Sequence, residues 1–302
     1  MSVRTVQHGD VSIAYEEFGS AGDEPMLLIM GLDFQMVWWP DEFIEGLVAR
    51  GFHVVRFDNR DAGLSTHFTS PRRENLFKVM FRGLPAPAYT TYDMVDDGIA
   101  VMDAMGWASA HLLGGSMGSS IALATAVLHP DRVRSVSGVF TAPARKSDAV
   151  RYLKVGYFPR LIRHLRRLNL PRNDEGAVQT LVEIVRLMSS PNHPFDEPLT
   201  RRMAEQSHAR APRDPSSSQR HLAAGRAAGE LNERIGEVRV PTVLINGADD
   251  PFIRPGAAAA QARRIPGAKS MVLPAMGHTL PREHWTTLLD TITANARSAV
   301  RQ

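Results

Sequence analysis

The chain has 302 residues, no cysteine and a formal net charge of +3, so disulfides, thiolate nucleophiles and Cys-ligated zinc or iron–sulfur centres are excluded together. With 43% hydrophobic residues it has the composition of a globule and the length of one large α/β domain with an insertion, or of two ordinary domains. Its cations are almost all arginine, with Lys78, Lys146, Lys154 and Lys269 the only lysines, which makes the pI of about 9.4 more basic than the net charge suggests and only weak evidence for nucleic acid or an anionic membrane as partner.

The chain starts Met1-Ser2-Val3-Arg4, without the charged and apolar regions of a signal peptide, and no apolar run reaches the roughly 18 residues of a membrane span; the expected compartment is the cytoplasm. Val11-Ser12-Ile13-Ala14-Tyr15 alternates as a strand does, and Met26 to Met30 is a continuous apolar run ending at Gly31, the pattern of a strand buried on both faces. Trp38-Trp39-Pro40 opens a helix with Phe43, Leu47 and Val48 on its apolar side, and Gly51 ends it before the strand His53 to Phe57. Thr90-Thr91-Tyr92-Asp93 is a capping box for a helix with Tyr92, Val95, Ile99 and Met102 on one side. A strand through Leu112-Leu113 follows, then a helix through Ile121, Ala124 and Leu128 that Pro130 closes, then the strand Val133 to Phe140.

Alternation stops there. From Thr141 to Val238 the chain is helical or irregular, with turn clusters at Leu170 to Asn173, Ser189 to Asn192 and Asp214 to Ser218. Strands return at Pro241 to Asn246 and Ser270 to Leu273, around an alanine-rich helix from Ala257 to Arg264, and a last helix starts near Arg282. The expected architecture is an α/β fold, a mostly parallel twisted sheet flanked by helices, with a core of residues 1–140 and 239–302 and a helical cap inserted at 141–238. No internal repeat is visible.

The chemistry centres on Gly114-Gly115-Ser116-Met117-Gly118, a Gly-x-Ser-x-Gly run between a strand and a helix. This is the pattern of a nucleophile elbow, with Ser116 on a strained turn and the Met117 N–H available to an oxyanion. The same five residues also fit a serine N-cap after a glycine turn. An elbow serine needs a base and a carboxylate to orient it. The strand ending at Asn246-Gly247 carries Asp249 and Asp250 at its C-terminal edge; Asp250 is preferred because Pro251 follows and the next helix is set up there. His278 lies on a loop after the next strand, completing the order Ser, Asp, His. His111 inside the elbow strand and His129 at a helix end are not placed to reach the serine, which leaves His284 as the nearby rival. Leu32, after Gly31, is the candidate for the second oxyanion N–H. Neither a His-Glu-x-x-His nor a Gly-x-x-x-x-Gly-Lys run occurs, so neither metal nor cofactor is expected.

Met30-Gly31-Leu32, Trp39 to Phe43, Asp58 to Ser65, Gly114 to Gly118, Asp250-Pro251 and Met276 to Pro281 together resemble the α/β-hydrolase fold serine esterases, in the branch of aclacinomycin methylesterase. The resemblance covers nearly the whole chain. It implies hydrolysis of methyl esters on polyketide skeletons, with Ser116, Asp250 and His278 as the triad and Leu32 and Met117 as oxyanion donors. Many hydrolases carry His-Gly where this chain has Met30-Gly31, so a polar group that could support the oxyanion loop is missing from that position. Gly114 to Ser119 also resembles proline iminopeptidases, but their Gly-Gly-Pro oxyanion loop is absent. Serine at the elbow argues against dehalogenase and epoxide hydrolase chemistry, which needs a carboxylate there.

The insertion is expected to decide specificity. Arg160, Arg163, Arg166 and Arg167, interleaved with Leu153, Phe158, Leu161, Ile162, Leu165 and Leu168, form a basic amphipathic pattern that fits a cap helix, with an interfacial membrane helix or an anion-binding surface as alternatives. Asn75 to Tyr89, with Phe77, Met80, Phe81 and Leu84, would add a second apolar wall. The expected partner is therefore a small-molecule hydrophobic ester, and the sequence leaves oligomeric state open. The remaining function classes are a cofactor-free perhydrolase or acyltransferase, an iminopeptidase-like hydrolase, and a ligand-binding receptor on the same fold.

Overall fold

The computed structural model describes residues 2–68, 87–143, 146–154, 156–214, 216–227 and 229–299. The apolar runs become strands: β1 (Arg4–His8), β2 (Val11–Phe18), β3 (Glu24–Ile29), β4 (Phe52–Phe57), β5 (Ala110–Gly115), β6 (Val133–Val139), β7 (Thr242–Gly247) and β8 (Lys269–Leu273). They form one sheet in the order β1-β2-β4-β3-β5-β6-β7-β8. Pairing is antiparallel from β1 to β4 and parallel from β4 to β8. The period-2 rule assigns Leu27 and Ile29 to one apolar cluster and Met26 and Leu28 to the other, so both faces of the sheet are covered. That is why β4, β5 and β7 are buried along their whole length.

Strand β1 has no counterpart among the sequence expectations. Arg4-Thr5-Val6-Gln7-His8 is polar and largely exposed, as an edge strand is, and it forms by pairing with β2 through a turn at Gly9, where φ is 59°.

On one face lie α2 (Thr91–Ala104) and α3 (Met117–Leu128); on the other lie α1 (Asp41–Val48) and, at the C-terminus, α11 (Trp285–Ser298). Helix α1 begins after Pro40, not at Trp38. Trp38 closes a 3-10 turn, and Trp39, preceding proline, is held extended at ψ 106°. The expected capping box opens α2, with Thr90 N–H donating to Asp93 Oδ2 at 2.7 Å. Tyr92 stands out in solvent; Met94, Val95, Val101 and Met102 make the buried face.

Between β6 and β7 run α4 (Lys146–Tyr152), α5 (Tyr157–Leu168), α6 (Asp174–Met188), α7 (Glu197–Arg210), α8 (Ser217–Ala227) and α9 (Gly229–Arg234); α10 (Gly256–Ala262) joins β7 to β8. Asn173 and Asp196 cap α6 and α7, accepting from Gly176 N–H and Leu199 N–H. The third turn cluster ends earlier than expected, because Ser217 and Ser218 already belong to α8. On α5 the four arginines are exposed, together with Ile162 and Leu168, while Leu161 and Leu165 are half-buried. The apolar wall expected from Asn75 lies outside the described residues, apart from 87–89. Among the described residues, no helix is long and apolar enough to cross a membrane.

Candidate active site

Strand β5 ends in Gly114-Gly115, and Ser116 turns the chain into α3 at φ 54° and ψ −115°. A non-glycine residue in this region carries strain on the order of 1–3 kcal/mol. It is held there by its own N–H donating to Val139 O at 2.8 Å and by Ser119 N–H donating to Ser116 O at 3.0 Å. The flanking glycines are sterically required. A Cβ on Gly118 would sit 2.0 Å from Ile29 O, and one on Gly114 would sit 2.3 Å from Gly118 O. No side chain fits where helix and strand approach so closely. Met117, at the first helical position, keeps one of the amides that a helix start leaves without an intrahelical partner.

Gly31 brings the loop after β3 against this turn: its missing Cβ would lie 3.2 Å from Ser116 Cβ and 3.1 Å from Gly115 O. Leu32, Ser116, Met117 and His278 border one cavity. Behind His278, fully buried, is Asp250. Its Oδ2 accepts from His278 Nδ1 at 2.6 Å, and its Oδ1 accepts from the Phe252 and Ile253 amides at 2.8 and 2.9 Å. With both oxygens engaged, the carboxylate has one orientation. The imidazole is clasped by Phe140, with ring centres 4.8 Å apart, and by the edge of Phe252 at 5.2 Å.

Asp249 points elsewhere. It accepts from Ser190 Oγ at 2.5 Å and Asn192 Nδ2 at 3.0 Å, and these hydrogen bonds hold its carboxyl below the usual range. His111 is packed inside the sheet against Ser135 Oγ at 2.9 Å, and His129 lies beside Asp96. His284 ends the 3-10 turn before α11, its ring 6.4 Å from that of His193. The structure thus joins Asp250 to His278 and brings Leu32, Ser116 and Met117 to the same cavity.

The segment between β6 and β7 contacts the His278 loop, Asp250 and the loop after β3. Met188 O, at the end of α6, accepts from His278 N–H at 2.7 Å; Lys154 Nζ donates to Asp250 O at 2.6 Å. The loop after β3 is gripped from α8 and the turn before it: Asp33 N–H donates to His221 Nδ1 at 3.1 Å, and the Asp33 carboxylate takes Arg213 Nε at 2.7 Å and the Ser217 hydroxyl. Asn59 Nδ2 donates to Met30 O at 2.9 Å. Asp58 accepts from Met36 N–H at 2.7 Å, Leu64 N–H at 3.0 Å and Arg210 Nη2 at 3.0 Å. None of these roles was assigned from sequence. Asp58 to Ser65 stands out as a motif without a stated task, and His221 carries no local signal among eleven histidines.

The cavity has a volume of about 2660 Å³ and is walled by core residues such as Met30 and Phe140 and by Leu161, Met188, Leu199 and Leu231 from the insertion. Among the described residues, no group of three or more His, Asp or Glu side chains is arranged to hold a metal ion.

Residues 25–284 match the family described as the α/β hydrolase fold. The chain is 28% identical to the rhodomycin D methylesterase DauP of Streptomyces sp. (strain C5), over 99% of both chains, and 28% identical to the rhodomycin D methylesterase DnrP of Streptomyces peucetius, again over 99% of both. In solved structures, the enol-lactonase of Burkholderia xenovorans LB400 superposes with a TM-score of 0.68 at 20% identity, covering 100% of both chains.

Proposed function

The chain belongs to the α/β hydrolase fold family and is a hydrolase with methylesterase relatives, and from this premise we propose that it is a serine carboxylic-ester hydrolase acting through Ser116, His278 and Asp250. The observation that carries the reading is the buried Asp250–His278 pair at 2.6 Å, facing the cavity in which Ser116 sits on its strained turn. A carboxylate at Nδ1 fixes the proton there and leaves Nε2 free as the base.

In this mechanism His278 Nε2 takes the Ser116 hydroxyl proton as Oγ attacks the ester carbonyl. The oxyanion forms between the amides of Leu32 and Met117, and Asp250 stabilises the imidazolium. Collapse breaks the ester C–O bond, and the alcohol leaves with the proton from His278. Water, deprotonated by His278, then attacks the acyl-enzyme, releasing the acid and restoring Ser116.

We read residues 141–238 as a cap over this site. Supporting this are the cavity walls contributed by α5, α6 and α7 and the direct bonds to His278 and Asp250. The proposed substrate is a bulky hydrophobic ester, with a methyl ester of a polyketide-type metabolite first among candidates. The cavity exceeds the roughly 300–1,000 Å³ of a pocket for a drug-sized ligand, and the methylesterase relatives point the same way.

Ser116→Ala tests the reading directly. Turnover of p-nitrophenyl esters is expected to fall by about three orders of magnitude or more; an unchanged rate refutes the mechanism. Comparing methyl esters of aromatic polyketides with short and long acyl esters tests the substrate class, and a preference for the short acyl esters refutes it.

A further inference from the structure

This inference deepens the proposed function and rests on its assignment of Leu32 N–H to the oxyanion. That N–H belongs to the peptide joining Gly31 to Leu32, and the peptides on either side of it are each held by a buried side chain. Upstream, Asn59 donates to Met30 O at 2.9 Å. Downstream, the Asp33 N–H of the Leu32–Asp33 peptide donates to His221 Nδ1 at 3.1 Å. Asn59 comes from the loop two residues beyond β4, the strand next to β3 in the sheet; His221 comes from α8, 188 positions along the chain from Asp33.

The second nitrogen of His221, Nε2, lies 2.7 Å from Arg60 O. Both partners have fixed polarity, since an amide N–H only donates and a carbonyl oxygen only accepts. His221 is therefore locked as the neutral tautomer protonated at Nε2; a second proton would set N–H against N–H at Asp33. The ring is 0% exposed. Burial pushes its pKa below the ordinary value, Arg220 adding to the effect, while Arg60 O, Asp61 and Asp33 oppose it; Tyr89 packs edge-on at 6.2 Å.

The loop has need of this contact. Asp33 sits at φ 65°, a conformation unfavourable for a residue with a Cβ, and its other restraints, Arg213 and Ser217, act on the carboxylate; the Gly31–Leu32 peptide itself has a long turn bond, Phe34 N–H donating to Gly31 O at 3.5 Å, which holds its plane weakly. We propose that His221 is a positioning residue for the oxyanion hole, its Nδ1 fixing the Leu32–Asp33 peptide so that the Leu32 N–H points at the reacting carbonyl. The insertion then supplies part of the machinery for the chemistry as well as a wall for the substrate.

The test compares three substitutions in the full chain. His221→Asn puts Oδ1 where Nδ1 stood and keeps an acceptor for Asp33 N–H. His221→Gln reaches Arg60 O but leaves Asp33 N–H unmet, and His221→Leu removes both bonds. On p-nitrophenyl esters, kcat is expected to drop about 30- to 100-fold in the Gln and Leu variants with KM within about threefold, while the Asn variant stays within about fivefold of the parent. Equal losses in Asn and Gln variants of matched melting temperature, or a change confined to KM, overturn the proposal.

Nitrogen NMR of the unsubstituted chain gives a readout independent of turnover. At pH 7 Nδ1 of His221 is expected to be unprotonated and Nε2 protonated; a proton on Nδ1 overturns the proposal even if the substituted chains do not fold. Ser116→Ala measured beside them separates the two levels. Retained turnover in that variant removes the esterase reading, whereas loss in Ser116→Ala with no loss in His221→Gln removes only the positioning role.

Discussion

Replacing Asp250 by Asn tests whether this carboxylate, and not its neighbour Asp249, orients the base. Asp250 Oδ1 accepts two backbone amides at 2.8 and 2.9 Å, which an amide nitrogen cannot do, so the Asn side chain must keep its oxygen there and turn its NH2 toward His278. That NH2 donates to Nδ1, which moves the ring proton to Nε2, the atom required as base. The protein stays folded, because both amides keep their acceptor; Asp250→Ala would leave them unmet at about 1–3 kcal/mol each. In a serine–histidine–aspartate triad this change of tautomer lowers kcat by about 10⁴, equivalent to about 5.5 kcal/mol in the barrier. Asp249→Asn disturbs only the bonds to Ser190 and Asn192, and its kcat is expected to stay within about tenfold of the parent. The assay is kcat for a p-nitrophenyl ester at neutral pH on chains whose urea midpoints match. An Asp250→Asn chain within tenfold of the parent, or an equal loss in Asp249→Asn, refutes the assignment.

Gly118→Ala forces a Cβ to 2.0 Å from Ile29 O, a backbone atom in the centre of the sheet, so the expected destabilisation is at or above the upper end of about 1–3 kcal/mol. Gly225→Ala on α8 meets nothing within 4 Å and is expected to be neutral or to stabilise by up to about 1 kcal/mol; urea midpoints that do not separate the two variants contradict the elbow packing. Stability is expected to fall on acidification because of His111, which burial, followed by Arg134, holds down to about 4. The unfolded chain takes up that proton near pH 6.5 and the folded chain does not, so stability rises with pH between about 4 and 6.5; the contribution is complete above that window and lost toward its lower end, on the order of 3 kcal/mol in all. Urea unfolding at pH 7.5 and pH 5 captures about 2 kcal/mol of it, and a His111→Asn chain with the same pH slope as the parent rejects this source.

How much of this could be read from the sequence depended on how far apart the cooperating residues are. The elbow is local: strand, two glycines, serine and helix start lie within a few positions, and each residue type answers a steric demand visible in the string. Asp250 and His278 are also legible, since each follows an apolar strand and parallel strands end on the same side of the sheet. Pro251 and the helix start behind it favour Asp250 over Asp249 in the string; the structure adds the reason, one side chain turning inward to the histidine and the other toward Ser190. Strand β1 escaped because an edge strand exposes its polar residues and its pairing with β2, not its pattern, creates it.

What lay beyond sequence reading was the support of the loop carrying Leu32, the proposed oxyanion donor. Met30 in front of Gly31 suggested that a polar prop was missing, and the local string contains none. The prop comes instead from opposite directions: Asn59 from the loop after β4, the next strand in the sheet, and His221 from a helix of the insertion, 188 positions from the amide it holds. Such a bond has no periodicity and no motif, because its two ends are matched by polarity in space. Met188 O bonded to the His278 amide repeats the arrangement on the other side of the site. The insertion thus bonds both the loop carrying Leu32 and the loop carrying His278; with these two in the proposed roles of oxyanion donor and base, it could not move as a separate lid without disturbing the geometry of both.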